Sequence, residues 1–500
     1  MRLSDIKLFK IRGGVHPNEN KHATAGSQIR PVPLAKRLFI PLQQHIGAPA
    51  EPIVKHGDRV LKGQLLANSQ GLISAPVHAP TSGKVIAVGK HPAPHPSGLP
   101  VRTIIIEPDG DECWGDFSQT SHEPFSLDPD EIASRVAAAG IVGMGGATFP
   151  SAVKLSLRKR YKLKQLVINA AECEPYLTCD DQLMREHAAE IVAGISIMMY
   201  ALQVDKATIA IEANKPEAIQ AMTNACMHMS DITVVTLPVQ YPMGSEKHLI
   251  QTLTGMETPA RALTADIGIV VHNVATAHAI QQCIVHGRPL IDRVVTVSGG
   301  AIKDPGNYLT PLGTPVSMLI EVAGGFTIDP ACIIGGGPMM GQPLPGTSVP
   351  IVKGNGGILA LTSAETAQKK AMPCIRCGSC VTACPCGLLP LEMANRARSN
   401  DLDGAVKFGL TDCIACGSCS YVCPSHIPLV QYFNYAKGAL TEQQRTQYKR
   451  EEIKRLTETR NLRMEALAEA KRAAMAKRKA EMAAKKAQQE KASIAEEARP

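Results

Sequence analysis

Hydrophobic positions change their spacing several times along the chain, and each change marks a different kind of element. Over residues 1 to about 125, short β-type runs alternate with Gly and Pro. The stretches 54–67 and 79–87 both alternate about glycine turns, which predicts strands of a small β-sandwich. From about 128 to 290, buried runs alternate with helical ones. Asp128-Pro-Asp-Glu131 is a helix start, with Asp as the cap and Pro just inside. Residues 166–169 and 206–211 read as buried strands with a helix, 188–203, between them. This βαβ patterning predicts an α/β domain with a mostly parallel sheet. Residues 292–350 return to strand and turn signals, including a strand over 293–298 and the Gly335-Gly-Gly337 turn. From Thr441 onward Ala, Lys, Arg, Glu and Gln dominate, which predicts an exposed helix with i,i+4 charge pairs or a disordered tail.

Composition narrows the function classes. The 500 residues suffice for two to four domains. Aromatic residues are only 4%, which argues against base-stacking platforms for single-stranded nucleic acid. The net charge is +8, but from Thr441 on there are sixteen Lys and Arg against ten Glu, so most of the excess sits in the tail. A basic tail on a nearly balanced body points to docking or a membrane surface, with no nucleic-acid partner expected. The N-terminal MRLSDIKLFKIRGG lacks the apolar core of a secretory signal. Residues 191–204, the best candidate span, are too short to cross a bilayer. A soluble or peripheral protein is expected. Fifteen cysteines in so long a chain are not a disulfide framework, and eight of them follow a metal-cluster spacing suited to a reducing compartment.

Those eight form two runs: Cys374-x-x-Cys377-x-x-Cys380-x-x-x-Cys384-Pro385 and Cys413-x-x-Cys416-x-x-Cys419-x-x-x-Cys423-Pro424. Three closely spaced thiolates wrap one cluster face, and in two-cluster ferredoxins the fourth ligand comes from the other run. The pattern predicts two [4Fe–4S] clusters, one on Cys374, Cys377, Cys380 and Cys423, the other on Cys413, Cys416, Cys419 and Cys384. Zinc sites use pairs of C-x-x-C, not a duplicated run of four ending in Cys-Pro. Cys386 breaks the plain pattern and reads either as a spare thiol or as an alternative ligand. Cys113, Cys226, Cys283 and Cys332 have no partner spacing and read as small core hydrophobes.

The segment Gly140-Ile-Val-Gly143-Met-Gly145-Gly146-Ala-Thr-Phe149-Pro150-Ser-Ala-Val-Lys154 opens a helix. Its glycines allow close backbone approach, and helix N-terminal amides attract phosphate. In order and chemistry, residues 128–365 resemble the flavin-bearing NADH-oxidising subunit of respiratory complex I. That family's Gly-Gly-x-x-Phe-Pro-x-x-x-Lys is matched by Gly145, Gly146, Phe149, Pro150 and Lys154. Its Asn-Ala-Asp-Glu-x-Glu-Pro appears as Asn169-Ala-Ala-Glu172-Cys-Glu174-Pro175, with Ala171 in place of Asp. A Gly-Glu-Glu segment is matched in part by Gly244-Ser-Glu246, and Asn-Asn-Val-x-Thr by His272-Asn273-Val274-Ala275-Thr276. The resemblance implies a β-grasp domain after the flavin domain. The whole chain is further similar to the C subunit of the Rnf (Rsx) ion-translocating oxidoreductases. That family opens its barrel-sandwich domain on Gly-Gly-Val-His-Pro, here Gly13-Gly14-Val15-His16-Pro17.

The expected fold is therefore multidomain α/β. It comprises an N-terminal β barrel-sandwich without a carrier lysine (1–125), an α/β FMN/NADH domain (126–290) and a β-grasp, SLBB-like domain with linker (291–365). A two-cluster ferredoxin-like helical domain (366–438) and a charged tail (439–500) follow. A carrier of two electrons beside one-electron clusters implies a flavin between them, and the resemblance makes it FMN. By analogy Gly143, Gly145 and Gly146 cradle phosphates, Lys154 neutralises their charge, and Phe149 stacks on a ring. Asn169 and Asn273 bond FMN, Glu246 belongs to the same site, and Glu172 and Glu174 shape the flavin–nicotinamide pocket. Cys173 either touches the flavin or is a buried bystander. The implied function is electron exchange between NAD(H) and a ferredoxin or flavodoxin-type carrier, in company with integral-membrane subunits, on the cytoplasmic side of the inner membrane. The alternatives are a flavin/iron–sulfur subunit of a soluble hydrogenase or formate dehydrogenase, and an electron-wire scaffold with a degenerate flavin site.

Overall fold

The computed structural model describes residues 7–71, 73–115, 123–366 and 369–497. Expectations resting on residues 1–6, 116–122, 367–368 and 498–500 lie outside these. At the centre is a four-stranded parallel sheet in the order Ile232–Leu237, Ala207–Glu212, Gln165–Ala170, Ile269–Asn273. Asp128 caps the helix Pro129–Ala138 by accepting from the Asp130 amide, as the Asp-Pro start predicts. The chain moves from Gln165–Ala170 to one neighbour and returns later on its other side. The order therefore reverses between Gln165–Ala170 and Ile269–Asn273, the place where open parallel sheets form a crevice at their carboxyl ends. Helices Ala188–Leu202 and Val274–His286 pack almost backbone to backbone, since a Cβ on Gly194 would lie 2.0 Å from the Ala277 carbonyl oxygen.

The N-terminal sandwich pairs a four-stranded sheet with a three-stranded one around Leu38, Ile40, Leu66, Val85, Ile104 and Ile106. Asp292–Ser298, Gly306–Pro311, Cys332–Gly335 and Gly357–Leu361 form the heart of a six-stranded mixed sheet, joined at one edge by Arg30–Pro31. Lys353 stitches these units together. Its fully buried amine donates to the carbonyls of Pro76 in the sandwich (2.9 Å) and Gly140 in the central domain (2.6 Å).

Burial pushes the Lys353 pKa down to about 7. The unfolded chain then binds a proton that the folded chain does not between about pH 7 and the ordinary lysine value of about 10.4. The contribution of this amine to stability is therefore full above that window and lost as pH falls through it. The thermal midpoint of the native protein is expected to rise relative to Lys353→Met between pH 7 and 9.5. An identical difference at both pH values would show that the amine stays charged.

The cysteine-rich module is a cluster of short helices, Ser379–Ala383, Pro390–Arg398, Leu402–Lys407 and Ser418–Tyr421. They pack around Met393, Leu410, Leu429 and Phe433. Its last helix, Leu429–Glu497, starts in that core and continues through the charged tail. Of the two expectations for the tail, the helix is the one observed. One expectation is corrected: Cys226 and Cys283 are buried, but Cys113, in the loop after Pro100–Pro108, is exposed, and Cys332, at the start of its strand, is half-buried.

Candidate functional site

A cavity of about 520 Å³, partly open to solvent, lies at the carboxyl ends of the two strands where the sheet order reverses. Asn169 and Asn273 end those strands as register partners. Asn273 also caps the helix Val274–His286, accepting from the Ala275 amide, and donates to Asp180 at 2.6 Å. The glycine loop crosses above that helix start: the Met144 amide donates to Thr276 Oγ1 at 3.0 Å, and a Cβ on Gly145 would reach within 3.4 Å of Asn273. Nine glycines line the cavity. They leave backbone amides accessible where side chains would otherwise fill the space. Buried Arg293 also lines it, with Nε bonded to no protein group. A cradle of glycine backbone without side chains and a buried guanidinium together suit a phosphorylated, ring-bearing ligand such as FMN.

Of the residues expected here, Gly145, Gly146, Asn169, Glu172, Glu174 and Asn273 line the cavity. Gly143, Phe149, Lys154 and Glu246 stand outside the lining. Gly143 and Phe149 close the glycine loop through the bond from the Gly143 amide to the Phe149 carbonyl (2.8 Å). Lys154 and Glu246 pair with each other at 3.1 Å, with Lys154 also on the Val271 carbonyl and Glu246 on Thr264. The ammonium of Lys154 is thus satisfied by protein groups.

The two glutamates are held in different ways. Glu172 accepts from the amides of Asp180 (2.7 Å) and Asp181 (3.2 Å) and so caps the helix Cys179–Glu186. Glu174 accepts from the amides of Met339 and Met340 at 3.0 and 2.8 Å, fixing the glycine turn of the mixed sheet over the cavity. Desolvation raises the Glu174 carboxyl to about 7. The Cys173 thiol accepts from the Gly244 amide at 3.2 Å and lines the cavity, and burial pushes its pKa up to about 12. Sequence reasoning missed Asp180, buried beside Glu172 with its carboxyl pKa raised by desolvation. It also missed Lys21, whose buried ammonium donates to the carbonyls of Glu172, Glu174 and Leu177. A lone lysine in a loop carries no periodic or motif signal that could have found it.

The eight motif cysteines gather in two hollows. Cys374, Cys377, Cys380 and Cys423 line an outer one, and Cys384, Cys413, Cys416 and Cys419, together with Cys386, an inner one. The matching loops turn alike, with Arg376 and Ala415 both at φ +55° and Gly378 and Gly417 at +78° and +83°. Amides of Arg376, Ala415 and Leu388 point at the sulfurs of Cys374, Cys413 and Cys384 at 3.3–3.4 Å. Four convergent thiols with amide donors fit a [4Fe–4S] cluster in each hollow.

Cavity and inner hollow share a wall. Ile414 lines both, and the Tyr241 hydroxyl, from the cavity side, donates to the Cys416 carbonyl at 2.7 Å. The Gly13–Pro17 segment clamps the junction. The Gly14 amide donates to the Ala383 carbonyl (3.0 Å), and Val15 bridges Tyr241. At Gly13, φ is +64° and a Cβ would lie 2.8 Å from the Ala383 and Cys384 backbone, so only glycine fits. The outer hollow shares no lining residue with the cavity, and Cys374 and Cys377 are exposed there.

Comparison with known families gives four matches in order along the chain. Residues 9–111 match the RnfC barrel sandwich hybrid domain, and 136–282 the Nuo51 FMN-binding domain. Residues 294–343 match the SLBB domain, and 373–427 the 4Fe-4S dicluster domain. Among similar proteins, the C subunit of an ion-translocating oxidoreductase complex of Rhodobacter capsulatus is 59% identical over 88% of this chain and 85% of its own. The C subunit of a proton-translocating ferredoxin:NAD(+) oxidoreductase complex of Clostridium ljungdahlii is 47% identical over 86% of this chain and 94% of that one. The corresponding Haemophilus influenzae protein, also the C subunit of an ion-translocating oxidoreductase complex, is 44% identical over 93% of this chain and 71% of that protein.

Proposed function

Because the chain belongs to the RnfC family, the C subunits of the ion-translocating oxidoreductase complexes, we propose that it exchanges electrons between NAD(H) and a ferredoxin or flavodoxin-type carrier, with FMN and two [4Fe–4S] clusters as its resident groups. The observation that carries this reading is the shared wall: a cavity built for a phosphorylated ring ligand abuts a hollow of cluster-type thiols through Ile414 and Tyr241. Bound FMN supplies the conversion between two-electron and one-electron chemistry.

The residues divide the work. Gly145 and Gly146 offer backbone amides to phosphate, and Arg293 adds charge. Asn169 and Asn273 present amide groups at the strand ends. Glu172 and Glu174 shape the pocket mouth, and alignment of the nicotinamide, not proton transfer, is what they supply. Gly143, Phe149, Lys154 and Glu246 position the glycine loop and the strand ends from behind. Cys384, Cys413, Cys416 and Cys419 hold the cluster beside the cavity, and Cys374, Cys377, Cys380 and Cys423 the one that faces the carrier.

Among the described residues no helix is long and apolar enough to cross a membrane. Ion translocation then falls to integral-membrane subunits of the same complex, with this chain peripheral on the cytoplasmic side of the inner membrane. Ile375 and Arg376 line the outer hollow, and the exposed Lys369, Lys370 and Met372 precede its first cysteine in the chain, a combination suited to an acidic carrier.

Anaerobic protein loaded with FMN and titrated with NADH tests the reading. Bleaching of bound flavin accompanied by the spectrum of reduced clusters is expected. Protein that carries about eight irons but retains no flavin would leave only the electron-wire alternative.

A further inference from the structure

Five thiols, not four, line the inner hollow, whereas the outer one has four. The fifth is Cys386. The two halves of the module correspond residue by residue: Cys374-Ile-Arg-Cys-Gly-Ser-Cys380 matches Cys413-Ile-Ala-Cys-Gly-Ser-Cys419, and Cys384-Pro-Cys386 matches Cys423-Pro-Ser425. Cys386 and Ser425 therefore occupy equivalent places.

Ser425 is occupied with holding its loop. Its hydroxyl donates to the Pro373 carbonyl at 3.0 Å, and its own carbonyl accepts from the Met372 amide at 2.9 Å, just ahead of the first ligand of the outer set. Cys386 instead lines the inner hollow together with the first ligand of the inner set, Cys413. Cys384, Cys413, Ile414, Cys416 and Cys419 line the same hollow as Cys386. Only Pro385 separates it from Cys384, and Gly387, at φ +65°, turns the chain directly after it. A soft sulfur lining the same hollow as four cluster-type sulfurs has the chemistry of a ligand.

We propose that Cys386 is a reserve ligand of the inner cluster, able to take the iron that Cys384 holds. This rests on the cluster reading above. In the exchange the Cys384 Sγ–Fe bond breaks and the Cys386 Sγ–Fe bond forms. The Cys386 thiol releases its proton, the freed Cys384 thiolate takes one up, and no iron changes oxidation state. The inner cluster can then keep its fourth iron when Cys384 is lost. The outer cluster has no such protection, because Ser425 offers a committed hydroxyl in place of a thiol.

The test compares anaerobically prepared wild type, Cys386→Ser, Cys384→Ser, Cys384→Ala, each Cys384 variant combined with Cys386→Ser, and Cys423→Ser. Iron is counted, and paramagnetic resonance is recorded in the oxidised and reduced states. Cys386→Ser and both single Cys384 variants are expected to keep about eight irons, the Cys384 variants with an altered reduced-state signal. The double variants and Cys423→Ser are expected to lose iron and show a three-iron cluster when oxidised. Equal iron loss in the Cys384 single and double variants overturns the inference. So does failure of both single variants to give soluble protein, since a reserve thiol should keep the module assembled. A wild type without two clusters overturns the cluster assignment itself, which the first sample reveals separately.

Discussion

With Cys374 changed to serine, NADH is expected still to bleach the flavin and reduce the cluster that remains intact. With Cys416 changed to serine, NADH is expected to bleach the flavin but to reduce the remaining cluster at least about tenfold more slowly, equivalent to about 1.4 kcal/mol of added barrier. The difference follows from where the two hollows lie. The inner one shares Ile414 with the cavity, and the Cys416 carbonyl is bonded to Tyr241, which also lines it. Val15, Tyr241, Ala383 and Cys416 pack as one buried cluster with Cys173, Met339 and Ile414 against it, so no solvent layer intervenes. The outer hollow touches none of these residues and opens to the surface through Cys374 and Cys377. Rapid mixing with NADH, followed at flavin and iron–sulfur wavelengths, reads the result. Equal cluster reduction in the two variants would show that the cavity does not address the inner hollow first.

Which hollow adjoins the cavity was not legible in the sequence, although the parts were. The paired cysteine runs pick out by spacing the eight thiols that the fold gathers into two hollows. The strand–helix alternation identified the parallel sheet, and Asn169 and Asn273 stand at adjacent strand ends because the motifs around them are tied to a sheet crevice. Which hollow faces the cavity depends instead on a contact between residues 14 and 383, and no local pattern encodes a pairing over that separation. Gly13 and Gly14 could be read as a motif, but their reason, a backbone approach too close for any Cβ, exists only once the module is docked. Lys154 and Glu246 show the opposite case. Their residue types suggested ligand contact, whereas the fold brings them together as an ion pair behind the wall.

The buried lysines are the largest feature hidden from sequence reasoning, and Lys21 is the one on which the pocket most depends. The turn that carries Glu172 and Glu174 is strained: Glu172 lies at φ +49° and Tyr176 at φ +68°, conformations that cost non-glycine residues on the order of 1 kcal/mol or more each. Lys21 Nζ holds it by donating to the carbonyls of Glu172 at 2.8 Å, Glu174 at 3.0 Å and Leu177 at 2.5 Å. Lys21→Met keeps much of the volume and removes all three donors. Each buried carbonyl left without a partner costs about 1–3 kcal/mol, and water entering from the neighbouring cavity lined by His16 and Glu19 recovers part of this. A net loss of about 3–5 kcal/mol is therefore expected. At roughly 2–4 °C per kcal/mol for a unit of this size, the thermal midpoint falls by about 10 °C. The turn then relaxes, Glu172 leaves the start of Cys179–Glu186, and Glu174 releases the Met339–Met340 amides. FMN affinity is expected to fall at least about a hundredfold, or about 2.7 kcal/mol, while the iron content stays that of the native protein. Flavin retained at native affinity in a destabilised Lys21→Met protein would show that the turn holds its shape without the ammonium.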